Sequence, residues 1–95
     1  PLTTLGIGVD KLPESVIKSS FLTGNDLGIL GNLAHFPSDS EIDNYLRTSE
    51  EFANISHIDD FGNFIHKRAK DLIEKNEAEN ALLMLLAKEK LNKNQ

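Results

Sequence analysis

The chain has 95 residues, 39% hydrophobic and 26% charged, with a net charge of −5. That composition describes one small folded domain, too apolar to be disordered and too mixed to be fibrous. It contains no Cys, which excludes disulfide staples and thiolate chemistry, and no apolar run reaches the about 18 residues of a membrane span.

Charge is unevenly spread, with −7 on residues 1–62 and +2 on residues 63–95. An acidic body repels phosphate backbones, so nucleic acid is not the expected partner. The opening PLTTLGIGVD lacks the basic start and long apolar centre of a signal peptide, and the chain reads as cytoplasmic.

Residues 1–12 read as an extended N-terminal arm, β-branched but weakened as a strand by Gly6 and Gly8. Pro13 suits a first helical position and Glu14 a first turn, and Val16, Ile17, Phe21 and Leu22 share one face, predicting a helix over 13–21. Thr23 or Asn25 can cap the next, over 25–35, with Leu27, Ile29, Leu30, Leu33 and Phe36 apolar. Gly28 and Gly31 each cost about 1 kcal/mol there, which implies either a close backbone neighbour or a loose helix. Pro37 ends that segment.

Ser38 followed by Glu41 forms a capping box, and Ile42, Tyr45, Leu46 and Phe52 supply the stripe of a helix over 38–52. Asn54 or Ser56 is then expected to cap a helix over 57–75, with Asp59 and Asp60 in its first turn. Ile58, Phe61, Phe64, Ile65, Leu72 and Ile73 lie along it. The stripe lapses at 75–77, where Asn76 can end one helix and, with Glu79, open another over 77–91; the alternative is a single helix running through from 57 to 91. Residues 92–95 follow as a frayed tail. The whole is an all-α single domain, a small bundle of four to five helices.

Residues 81–87, ALLMLLA, pose the main question. At about 100° per residue seven apolar side chains encircle a helix, whereas a surface helix needs about three in seven. Leaving three of them in water would forgo about 1.5–3 kcal/mol each, a large share of a small domain's stability. Either this helix is the centre of the bundle, or one face packs inward while the other meets a second chain. On the second reading Leu82, Leu83, Leu85, Leu86, Phe61 and Ile65 form a partner interface, and self-association as a homodimer is expected.

Chemical signatures are sparse. His35, His57 and His66 include no pair at the four-residue spacing of a helical metal site, and no HExxH occurs. Asp39 to Glu50 echo a calcium loop, but Asn44 replaces its glycine and Arg47 occupies a ligand position. GNDLGILGN lacks the spacing of phosphate loops, and HKRAK is a small basic patch among acids. No catalytic, cofactor or metal residue is assigned.

The opening PLTTLGIGVDKLPESVIKSSFL resembles, over about twenty residues, the strand-then-helix start of the tautomerase superfamily, whose N-terminal proline acts as a base. That resemblance implies an enzyme working through Pro1. The rest of the chain offers no second parallel strand, as that fold requires. The leading expectation is therefore a non-catalytic interaction module, a small adaptor, regulatory or accessory subunit acting through its C-terminal helical region.

Overall fold

A computed structural model describes residues 11–93, so the N-terminal arm through Asp10, Pro1 included, lies outside the described residues. Six helices follow in order: α1 (Glu14–Ile17), α2 (Gly24–Gly31), α3 (Asp39–Thr48), α4 (Glu50–Ile55), α5 (Phe61–Glu74) and α6 (Ala78–Lys93). No strand occurs among the described residues, so the all-α expectation holds there and the β-rich frame implied by the tautomerase resemblance is not seen.

Local chemistry sets most boundaries. At α2, Thr23 rather than Asn25 is the cap: its Oγ1 accepts from the Asp26 N–H while Asp26 Oδ2 accepts from the Thr23 N–H. Ser38 and Glu41 form the expected box at α3. The long helix expected over 38–52 is two, because Ser49 leaves the helical region (φ −79°, ψ 111°) and its Oγ caps Phe52 N–H to start α4. α5 begins at Phe61, not 57. Asp60 precedes it in a left-handed conformation (φ 67°), Ser56 closes α4, and Asp59 and Asp60 sit in the connector.

The break near Asn76 is real and has a defined form. Asn76 is left-handed (φ 70°), its N–H reaches Ile73 O at 3.1 Å, and Glu77 N–H reaches Leu72 O at 2.8 Å. Those two bonds are a Schellman cap, the motif that ends a helix and turns the chain. Helix α6 then runs through Lys93, past the predicted end at 91, and α1 and α2 are shorter than expected.

Helix α6 is the hub. It packs most extensively on α5 and also against α3 and α2. Ala81, Leu82, Met84, Leu85, Leu86 and Ala87 are all buried, and Leu83 is half-buried against the same core. The seven-residue apolar run is thus covered by its own chain, facing Leu12, Val16, Leu27, Leu30, Ile42, Ile65, Ala69 and Leu72 in one cluster. At the other end an aromatic series continues it: Tyr45 meets Phe52 edge-on at 5.5 Å and Phe52 meets Phe61 at 5.7 Å.

Gly28 is not pressed by a packed neighbour. With Gly24, Asn25, Ile29 and Asn32 it lines a shallow surface depression, while Leu27 and Leu30 hold α2 to the core.

Candidate functional sites at the start of α5

The six residues expected at an interface lie mostly inside. Leu82, Leu85, Leu86 and Ile65 are core residues, and a partner could reach them only by opening the bundle. Phe61 and Leu83 are half-buried, with Phe61 engaged edge-on by Phe52. Among the described residues the large apolar side chains left most exposed are Ile17, Ile29, Ile58 and Phe64, the last two at 43% and 41%.

Ile58 and Phe64 belong to one feature. With Asp59, Asp60, Asn63 and Lys67 they line an open groove of about 200 Å³ at the start of α5. Its shape follows from helix geometry. Phe61 and Ile65 turn inward, so Asp60, Asn63, Phe64 and Lys67, at spacings of three and four, form the outward stripe. Asp60 Oδ1 accepts from Asn63 Nδ2 at 3.2 Å and so stays beside the groove. The result is an exposed apolar pair with two carboxylates at one end and a lysine at the other.

A second, polar cleft of about 280 Å³ lies across α5 from this groove, and Asn63 lines both. The segment after α1 supplies Lys18, Ser19 and Ser20, α5 supplies Gly62 and His66, and α6 supplies Lys88. His66 is 7% exposed, and its Nδ1 lies 2.7 Å from Ser19 Oγ. Ser19 Oγ also accepts from Phe21 N–H at 3.2 Å. In the tautomer in which Ser19 donates to Nδ1, neutral His66 carries its ring proton on Nε2.

Burial, reinforced by the Lys88 charge and only partly offset by Glu89, lowers the His66 pKa, so the ring is neutral at pH 7. Nε2 has no hydrogen-bond partner among the described residues, yet no polar side-chain atom there is both buried and unpartnered. It therefore keeps contact with solvent at the cleft. Nearby, Ser15 Oγ donates to Glu89 Oε2 at 2.8 Å, tying α1 to α6. A Cβ on Gly62 would meet Lys88 Cε at 3.4 Å, so the lysine stem lies flat against the start of α5.

Two further polar links are structural. Lys70 Nζ lies 2.6 Å from Asp26 Oδ2, a carboxylate only 5% exposed. Burial pushes the Asp26 pKa up, but hydrogen bonds from Lys70 and Thr23 outweigh it and the net shift is downward. The exposed His35 ring meets both Glu41 oxygens at 2.8 Å, which raises its pKa.

The polar cleft escapes sequence reasoning because Ser19 and His66 are 47 positions apart. One signal existed: His66 stands three before Ala69 and seven before Ile73, on the buried stripe of α5. A polar residue there must find a partner. Asp39 to Thr48 form helix α3 rather than a calcium loop, and no group of three His, Cys, Asp or Glu side chains gathers as a metal site among the described residues. No described helix is long and apolar enough to cross a membrane.

Comparison with protein-family models, curated proteins and solved structures finds no match to this chain.

Proposed function

We propose that this chain is a non-catalytic protein–protein interaction module, an adaptor or accessory subunit, that docks a partner segment in the groove at the start of α5. The observation that carries this reading is the exposure of Ile58 and Phe64 together, beside Asp59 and Asp60, in a chain that buries the apolar run of α6. An apolar pair kept in contact with water and rimmed by charge has the make-up of an interaction surface.

Charge complementarity defines the occupant. Two carboxylates at one end of the groove and a net charge of −5 favour an amphipathic segment with apolar anchors followed by Lys or Arg. Phe64 supplies the aromatic contact that tends to dominate such interfaces. A chain without Cys suits a reducing compartment, and we read it as working in the cytoplasm.

Selection from a random peptide library on the immobilised protein tests the reading, with each selected peptide then titrated against the wild type, Phe64→Ser and Asp59→Lys with Asp60→Lys. Basic, apolar-anchored peptides weakened by both variants support it. Peptides of any other composition, or ones that bind both variants as well as the wild type, overturn it. Light scattering over a concentration series gives a separate outcome: a dimer abolished by Phe64→Ser would make a second copy the occupant and replace the basic segment.

A further inference from the structure

We propose that the polar cleft between the α1–α2 segment, α5 and α6 is a binding site for a phosphomonoester-type oxyanion, held by Lys18, Ser20, Asn63, His66 and Lys88. This goes beyond protein docking and rests on a different face of α5.

The lining is rich in hydrogen-bond donors. Two ammonium groups, the Ser20 hydroxyl and the Asn63 carboxamide, whose Nδ2 also donates to Asp60, line the cleft, and no carboxylate of the described residues does. His66 adds a positioned donor. The residue is 7% exposed and its Nδ1 is engaged by Ser19, which leaves Nε2 as the ring nitrogen available to the cleft that His66 lines. An anchored ring with one free donor is arranged to recognise an acceptor, and a dianion accepts from several such donors at once.

Nearby acids are accounted for. Glu89 is engaged by Ser15 at 2.8 Å. Glu14 lies 3.6 Å from Lys18, but both side chains are more than 70% exposed, so the pair is weak and yields to a dianion. Lys88 has no ion pair within 4.0 Å among the described residues. The cleft's own lining thus carries two lysines and no carboxylate, with Glu14 and Glu89 standing beside it. Lys18 and Lys88 come from opposite ends of the sequence, which composition could not reveal. The volume of about 280 Å³ accommodates a phosphoryl group with a short substituent.

Titration with inorganic phosphate, and separately with N-acetyl-phosphoserine amide, followed by the imidazole nitrogen shifts of His66, provides the test. His35 and His57 serve as internal controls and chloride matches the ionic strength. The expected result is a saturable shift at His66 alone and a rise in its titration midpoint, because a nearby dianion stabilises the charged ring. Lys88→Met, which keeps the stem over Gly62, and exposed Lys18→Met should each weaken binding by about tenfold with unchanged circular dichroism.

Equal affinity for the two probes identifies a free-phosphate site, and tighter binding of the phosphoserine amide identifies a phosphorylated chain as the source. Non-saturating shifts, shifts shared by His35 and His57, or binding unaffected in both folded lysine variants would overturn the proposal. Failure here leaves peptide docking at Phe64 untouched, since the two assays read different residues.

Discussion

Residues 81–87 and the start of α5 present the same difficulty, large apolar side chains with too few polar neighbours, and the molecule resolves them in opposite ways. The run in α6 is dense, and its own chain encloses it on every side, leaving only Leu83 half-exposed. The pair Ile58 and Phe64 is sparse, set among Asp59, Asp60 and Lys67, and stays in water. Apolar density therefore marked the core, and the isolated apolar pair marks the candidate surface. A helix apolar all round can be packed from several directions at once, whereas the aromatic ring on the outer stripe is left uncovered by the described elements.

The sharpest way to break this contrast is truncation in the run. Leu85→Ala and Leu82→Ala should each cost about 2–5 kcal/mol in urea unfolding, because each leaves a cavity at the junction of several helices. Loss of less than about 1 kcal/mol would mean that α6 is not enclosed as described.

Asp26→Asn should cost about 1–3 kcal/mol at pH 7 by weakening a buried, charge-assisted link to Lys70. The folded-state pKa of Asp26 is lowered, so its contribution is full above the unfolded value and is lost as pH falls below about 4. The gap between wild type and variant should close over that acidic range. A gap independent of pH would show that the carboxylate's charge contributes nothing.

Cap removal comes next. Ser38→Ala should cost about 1 kcal/mol, as should Thr23→Ala, each by releasing one amide at a helix start. His66 has a lowered pKa, so the stability due to its neutral form is present above about pH 6.5 and falls as pH drops through the folded value. A His66→Gln variant should lack that part of the pH profile, as read by thermal melts. The smallest effect belongs to the groove: Ile58→Ser with Phe64→Ser should change stability by no more than about 0.5 kcal/mol per site. A large loss would move these residues into the core and remove the contrast.

How much of this could be read from the chain alone depended on how local the cause was. The Ser38–Glu41 box and the stop at Asn76 each need only neighbours within a few positions, and both appear; the expected stripe of α5 holds for Ile65, Leu72 and Ile73, whereas Ile58 lies before the helix and Phe64 faces water. Ser49 was also local: TSEE is a helix-start signature hidden inside an apparently continuous amphipathic segment. The start of α5 was misplaced because Ser56, expected to open a helix, instead closes one. Which faces of α6 the chain would cover depends on where α2, α3 and α5 dock, and no pattern within 81–87 contains that. The polar cleft depends on three segments meeting and left only His66's place on the buried stripe as a trace.

The bond from Ser15 to Glu89 spans 74 positions, and those from Ser19 to His66 and Asp26 to Lys70 span 47 and 44. By contrast, α5 and α6 are joined by the short turn at Asn76 and pack on each other more extensively than any other helix pair described. Closing a long loop costs entropy before its contacts are gained, whereas a helical hairpin gains contacts at once. The hairpin should therefore assemble first and open last, with α1 and α2 as a late-closing flap fastened by Val16, Leu27 and Leu30 and by a few polar links. In native-state hydrogen exchange the amides of α1 should exchange through a local opening that leaves α5 and α6 protected. That opening would also dismantle and rebuild the Ser19–His66 contact many times within the lifetime of one folded molecule.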